Sequence, residues 1–252
     1  MITNTTYMEK EKMNSSLKNL IQQIQSHLNE HNSLTPKRAA ELVAEANVTE
    51  EDLMPFADFN HPVEDCYGRR LVHETDQFEV MVMSWNPGDY SSIHNHGYTE
   101  WGVVQVFGNT HHFIFHVKDN TLCFSKKEII PSGSVVKVNN ALIHQMGNTS
   151  GAPYLTLHVY GVNQKDNGIT DDAMNFDLAF DRIAYTSGGA FFKLPSEAIN
   201  RTEPGVIPSD EVLIHYAYLY MDYCLRQEPS EEISRIKEQI VLKMEQLVNV
   251  TV

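Results

Sequence analysis

Two histidines one residue apart close the stretch Gly88-Asp89-Tyr90-Ser91-Ser92-Ile93-His94-Asn95-His96. In extended chain, residues i and i+2 leave the same face, so the imidazoles of His94 and His96 point at one spot. Neutral imidazoles suit a divalent transition metal, and a catalytic site of this kind needs a third ligand from elsewhere plus open positions. His144, which follows a turn and stands near another expected strand, can provide it. A lone histidine is ordinarily structural. A pair followed by a separated third in an all-β setting points instead to a metal.

Farther along, Tyr154 to Tyr160 alternates: Leu155, Leu157 and Val159 make an apolar face, and Thr156, His158 and Tyr160 a polar one. A barrel interior accepts three hydrogen-bonding groups only if they serve one another or a ligand. That predicts a chain from the Thr156 hydroxyl through His158 to the Tyr160 hydroxyl, with the tyrosine tip near the metal; turned outward, the same stripe would be ordinary surface. Arg69 and Arg70 are neighbours in Tyr67-Gly68-Arg69-Arg70-Leu71-Val72, so alternation sends one of them inward. A buried guanidinium needs an anion, either a substrate carboxylate held bidentately or one of the chain's own acids.

Rigid elements must hold these groups. From about Tyr67 to Gly161 the hydrophobic period is two, in segments such as Gln77 to Trp85, Glu100 to Phe107, Thr110 to Val117, Ser134 to Val138 and Tyr154 to Tyr160. Gly, Pro, Asn and Asp turns separate them, which predicts a small antiparallel sandwich or barrel. Before it, Leu17, Leu20, Ile21, Ile24 and Leu28 recur at helical spacing. Thr35-Pro36 opens a second helix through about Ala46, and a third turn begins at Thr49. The expectation is that these helices cover one side of the sheet. After it comes a loop-like stretch with Ser187-Gly188-Gly189 and three prolines, expected to wrap the barrel. Two helices end the chain, Asp210 to Gln227 and one opening at Pro229-Ser230-Glu231-Glu232, whose stripe of Ile233, Ile236, Ile240, Met244 and Leu247 must be covered by the barrel or by a partner subunit. The expected layout is N-terminal helices over 1–60, a barrel with the metal site over 61–165, and a wrapping segment with helices over 166–252.

Composition excludes other classes. A formal charge of -14 and no basic run make nucleic acid and an anionic membrane poor partners. The opening Met1-Ile2-Thr3-Asn4-Thr5-Thr6 lacks the apolar core of a signal peptide, no stretch is long and apolar enough to span a bilayer, and Cys66, Cys123 and Cys224 form no even framework. The expectation is a cytoplasmic protein with reduced thiols. Histidine is the unusual residue at 12, and His94, His96, His111, His112, His116, His144 and His158 crowd one region. His111, His112 and His116 read as strand-surface or packing residues, although His112 and His116 share a face and could approach the site.

Gly88, His94-x-His96, Gly108 and the later His144 resemble the two-part metal motif of the cupins, and more narrowly the cysteine dioxygenase-like thiol dioxygenases. The resemblance includes Ser91 to His96, Tyr67 to Val72, His144 to Asn148 and Thr156 to Tyr160, and covers about Tyr67 to Tyr160. It implies a mainly β, jelly-roll-like cupin barrel with Fe(II) on His94, His96 and His144. Arg69 would clamp a substrate carboxylate, with Tyr67 and Trp101 also at the substrate, and Thr156, His158 and Tyr160 would replace the family's Ser-His-Tyr triad. The implied reaction adds dioxygen to the sulfur of a small mercapto-carboxylic acid, of cysteine or 3-mercaptopropionate type, giving a sulfinic acid. A homodimer through the C-terminal helices is a further expectation.

Departures from the family pattern matter. Where mammalian members carry a cysteine that cross-links to the triad tyrosine, counting back from Gly108 puts Trp101, so no thioether forms; bacterial relatives acting on 3-mercaptopropionate also lack that cysteine. Residues 166–252 have no counterpart in the pattern. His94-x-His96-x-x-x-Glu100 also fits the general cupin motif in which a glutamate is a fourth ligand, provided a β-bulge turns Glu100 inward. The competing readings are therefore a cupin with three histidines and Glu100 acting on a non-thiol substrate, and a non-catalytic ligand-binding cupin.

Overall fold

The computed structural model of the chain describes residues 13–164 and 168–250; the opening residues 1–6 lie outside them. Helix α1 (Ser15–His31) starts where the Asn14 side chain accepts from the Leu17 N–H. Helix α2 (Pro36–Ala46) starts at Thr35, whose hydroxyl accepts from the Arg38 N–H, and α3 (Glu50–Leu53) opens with a Thr49/Asp52 capping box. In chain order there follow β1 (Gly68–Glu74), β2 (Phe78–Trp85), β3 (Trp101–Val106), β4 (Thr110–Lys118), β5 (Thr121–Ile130), β6 (Val135–Val138), β7 (Ile143–Gly147), β8 (Tyr154–Gly161), β9 (Ala173–Asp177), β10 (Arg182–Thr186), β11 (Arg201–Pro204) and β12 (Ile207–Pro208), then α4 (Asp210–Arg226) and α5 (Glu231–Val250).

One sheet has the order β1-β2-β8-β3-β6. The other contains β12-β5-β4-β7, and bridges from His94 to His144 on one side and to Asn175 on the other lay the His94 stretch between β7 and β9. This extends the second sheet through β9, β10 and β11. The inner faces of the two sheets, among them Met81, Met83, Val104, Phe115 and Met146, share one core. The outer face of the first sheet forms a second core with the N-terminal helices: Val80, Val82, Val103, Leu155, Leu157 and Val159 lie under Leu17, Leu20, Ile24 and Leu42. The resulting two-sheet, antiparallel barrel with helices on one flank is a mainly β, cupin-type architecture.

The segment after β8 differs from the loop expected there. It forms β9 to β12, four strands too short and too broken by glycine and proline to display a period of two. Strand β5, in which Ser125, Lys126 and Lys127 are exposed in a row and Glu128 is half-buried, also escapes the pattern. The last helix buries Ile233, Ile236 and Ile240 against this chain's own core, alongside Tyr216, Tyr220 and Tyr223 of α4. A groove between α4 and α5, lined by Ile214, Tyr218, Leu225 and Val241, keeps apolar side chains exposed.

Helix α4 also grips the metal-site strands. His215 Nε2 donates to Gln145 Oε1 at 2.7 Å, and Gln145 Nε2 donates to the Ser91 carbonyl at 2.7 Å. Arg226 donates to the Gly88 carbonyl at 2.8 Å and pairs with Asp89 at 3.2 Å, while the other Asp89 oxygen lies 3.0 Å from His61 Nε2. Burial opposes a charge on His61, but the Asp89 hydrogen bond, the Pro62 carbonyl and the nearby carboxylates outweigh it and raise its pKa. A group with a raised folded-state pKa stabilises the fold below its unfolded value and loses that contribution as pH rises through the folded one. His61→Gln is therefore expected to cost about 1–3 kcal/mol near pH 5.5 and less toward pH 9, read from urea unfolding. A deficit that grows with pH contradicts this assignment.

Candidate metal centre

His94 and His144 meet because their backbones pair: each N–H donates to the other's carbonyl at 2.9 Å. His96 joins them two residues on, and one ligand atom from each of the three lies within 4.8 Å of the others. Their ring centroids are 4.6 to 5.3 Å apart. His94 Nδ1 is 2.9 Å from the Ser92 carbonyl, so that nitrogen carries the proton and Nε2 is free. His144 Nε2 is buried with no protein partner, and His96, equally buried, has no side-chain partner at either nitrogen, only the Asn139 backbone nearby. Buried ring nitrogens left unpaired are costly, and one nitrogen from each of His94, His96 and His144 gives three lone pairs disposed for a cation. Burial, reinforced by neighbouring histidines, pushes His94 down to about 4 and His96 and His144 well below their ordinary value, so all three stay neutral and able to ligate. The donor set fits a divalent transition metal.

The polar face of β8 turns toward this cluster, and the order of its hydrogen bonds can be deduced. Trp85 Nε1 lies 2.9 Å from Thr156 Oγ1, and an indole N–H only donates. The buried Thr156 hydroxyl then sends its own proton to His158 Nε2 at 2.7 Å, which leaves His158 Nδ1–H to donate to the Tyr160 oxygen at 2.7 Å. Burial, with Arg69 and His94 adding to it, lowers His158 to about 3, while burial raises Tyr160. The imidazole is thus neutral, and the tyrosine keeps a proton that it can donate. Its ring stands 5.3 Å from that of His96.

These groups open on a tight cavity of about 20 Å³, walled by Met81, Met83, Trp85 and Met146 and reached by Tyr67, Thr170 and Gly188. Tyr67 stacks on Trp85 with centroids 4.7 Å apart. Arg69 lies opposite Met83, on the inner side, and its Nε contacts Met81 Sδ at 3.2 Å; Arg70 lies on the outside and pairs with Asp58. Gly188, at φ 88°, makes room for Arg69: a Cβ there would come within 3.2 Å of Arg69 Nη2. Among the described residues Arg69 takes part in no ion pair. Glu79, the nearest inward acid on β2, is buried and shifted upward chiefly by that burial.

Two expected site residues lie elsewhere. Trp101 faces the outer core among the helices, its ring over Gly161, because odd-numbered residues of β3 share the face of Val103. The inward residue beside Tyr160 is Gly102, paired directly with it across the strands, where a Cβ would come within 2.8 Å of Tyr160 Cδ1. Glu100 is exposed and its carboxylate accepts from the Asn163 N–H, so it does not join the three histidines. Sequence reasoning overlooked Trp85, which shares inward parity with Met83 and Met81, and the walls supplied from beyond β8 by Thr170 and Gly188. Of the three histidines read as packing residues, His112 is buried against the centre, while His116 is exposed and bonded to Ser125.

Barrel, orphaned imidazoles and polar strand together define a metal-binding cupin. The family model described as cysteine dioxygenase type I matches residues 8–163, and the chain belongs to that family of non-haem iron-dependent dioxygenases. It is 26% identical over 163 residues to cysteine dioxygenase type 1 of Danio rerio, covering 62% of this chain and 77% of that protein. Similar solved structures include an uncharacterized protein with a double-stranded beta-helix domain from Klebsiella pneumoniae, 14% identical, spanning 50% of this chain and 97% of its own, with a TM-score of 0.35. A cupin-2 domain from Rhodospirillum rubrum is 13% identical over 40% of this chain and 63% of its own, with a TM-score of 0.32.

Gly102→Ala is expected to push the Tyr160 ring aside without touching a ligand: metal stoichiometry should hold while turnover falls about 10-fold or more. Unchanged turnover would mean that the cavity has slack there.

Proposed function

We propose that the protein is a thiol dioxygenase that holds Fe(II) on His94, His96 and His144 and converts a small mercapto-carboxylic acid to its sulfinic acid. The observation that carries this reading is the convergence of three neutral imidazoles, their lone pairs unused, beside the hydroxyl of Tyr160. When bound, the iron supplies a cationic centre with open positions at which thiolate sulfur and dioxygen can meet. The chain's own residues do the rest. Arg69, which forms no direct ion pair among the described residues although its charge is felt by Glu79, takes the carboxylate and sets the distance from that anchor to the reacting sulfur. Met81, Met83, Trp85 and Met146 line the tight cavity with apolar surface that limits water, and the flexible methionine side chains are the ones that would give way to a small thiol. Trp85, Thr156 and His158 fix the Tyr160 oxygen from behind, so that its proton is aimed forward at charge developing on the reactants. The overall change is balanced: both oxygen atoms of dioxygen end on sulfur, which is oxidised as dioxygen is reduced, and the thiol proton is released.

The three cysteines are unpaired, in keeping with a reducing compartment, and the cytoplasm is the location proposed. Among the described residues no helix is long and apolar enough to cross a membrane.

Oxygen-electrode assays of iron-loaded protein with cysteine, 3-mercaptopropionate and cysteamine test the proposal. Consumption is expected with at least one of the two carboxylate thiols, equal amounts of sulfinate should form, and chelator should stop it. Persistent uptake without iron, or none with any thiol, overturns it. For the accepted thiol, Arg69→Ala should raise KM about 10- to 100-fold by removing a charged hydrogen bond. Tyr160→Phe should instead lower kcat by about 100-fold with iron retained.

A further inference from the structure

Behind His144 lies a pair of side chains that the proposed reaction does not use. His112, on β4, presents its ring edge-on to His144 with centroids 5.1 Å apart and an interplanar angle of 81°. Its Nε2 is 2.9 Å from His144 Nδ1, in a buried contact. Its Nδ1 is 3.1 Å from Oε1 of Glu128, directly opposite on β5, and Glu128 in turn pairs with Lys126 at 2.5 Å. The result is an unbroken row of Lys126, Glu128, His112 and His144, ending at the point shared with His94 and His96.

The direction of this row follows from which groups can donate. A carboxylate only accepts, so the proton between Glu128 and His112 belongs to His112 Nδ1. A neutral imidazole has one N–H, so His112 Nε2 is a lone pair and the proton it faces belongs to His144 Nδ1. That leaves His144 Nε2 deprotonated, and this is the nitrogen buried without a protein partner. The other ligands are held differently. His94 is oriented by the Ser92 carbonyl of its own loop, and His96 has no side-chain partner, its hydrogen-bonding neighbour being the Asn139 backbone. His144 alone depends on a side-chain row, and that row ends at a carboxylate whose side chain is 29% exposed.

We propose that His112 and Glu128 are positioning residues that select the metal-binding tautomer of His144, hold its ring plane, and thereby set the affinity of the metal centre. The proposal rests on the metal-centre reading. Outer partners of ligating histidines typically change metal affinity by about 10- to 100-fold when removed. The distinctive feature here is that a second imidazole stands between ligand and carboxylate, passing the orientation of a surface ion pair to the ligand.

The test titrates Co(II) into the metal-free full chain, followed by its ligand-field absorption. Relative to wild type, His112→Leu is expected to weaken Co(II) binding about 10- to 100-fold. His112→Gln should recover most of that loss, because its amide oxygen can accept the His144 Nδ1 proton. Glu128→Gln should weaken binding by a smaller factor, and His116→Gln, on the same strand but bonded to Ser125, should leave it unchanged. Melting of each metal-free variant controls for folding. If His112→Leu fails to fold, the Gln variants still decide: loss in Glu128→Gln with retention in His112→Gln supports the relay. Wild-type affinity in both His112→Leu and Glu128→Gln overturns it, and so does a His112→Gln variant as weak as a folded His112→Leu. Failure of wild-type protein to bind Co(II) at all would overturn the metal centre itself, and the relay with it.

Discussion

The facing of β8 is the constraint on which the rest depends. Leu155, Leu157 and Val159 are buried in the core shared with the N-terminal helices, where each is worth about 1.5–3 kcal/mol. Because side chains alternate, that commitment turns Thr156, His158 and Tyr160 inward, and a slip of one residue would exchange the two sets. Strand β8 is paired on both sides, with β2 and β3, so no free edge permits the slip. The helices therefore contribute to chemistry without touching it: by taking the apolar face, they drive three polar groups into the barrel. Those groups survive burial by bonding in sequence from Trp85 to Tyr160, which offsets their desolvation and leaves one hydroxyl proton to spend on a ligand.

A second support comes from beyond the portion that matches the family. Strand β9 borders the ligand loop: Phe176 N donates to the Ile93 carbonyl, Asn95 N to the Met174 carbonyl, and Ser92 Oγ to Asn175 Oδ1. Helix α4 bonds to Gln145, next to His144, and to Gly88 and Asp89, upstream of His94. The His94–His96 loop and strand β7, which carry the ligands, are thus both held from outside by the same C-terminal segment. In a site built on loop geometry, such fixation decides whether ligands stay within reach of one another.

Much of this was legible in the sequence, for identifiable reasons. The His94-x-His96 pair, the alternation of β8 and the Thr35-Pro36 helix start are local patterns, and local stereochemistry determines them. The parity of β3 was not legible. Val103 and Val104 are both buried, on opposite faces, so hydrophobicity cannot say which side is inner. Gly102 is inward because it pairs with Tyr160, a fact of tertiary register; the count from Gly108 placed Trp101 there instead. His112 was hidden by similar means, since its two partners come from β5 and β7 and only the pairing of three strands brings them into line. Strands β9 to β12 owe their existence to neighbours more than to their own composition.

The central claim, that three imidazoles from two separated stretches enclose one metal ion, is tested most directly by X-ray absorption at the iron edge of Fe(II)-loaded protein. The account predicts imidazole scattering from three rings, unchanged in Glu100→Gln and reduced by one ring in His96→Ala. A shell dominated by oxygen, or one that loses a ligand with Glu100→Gln and none with His96→Ala, would contradict it.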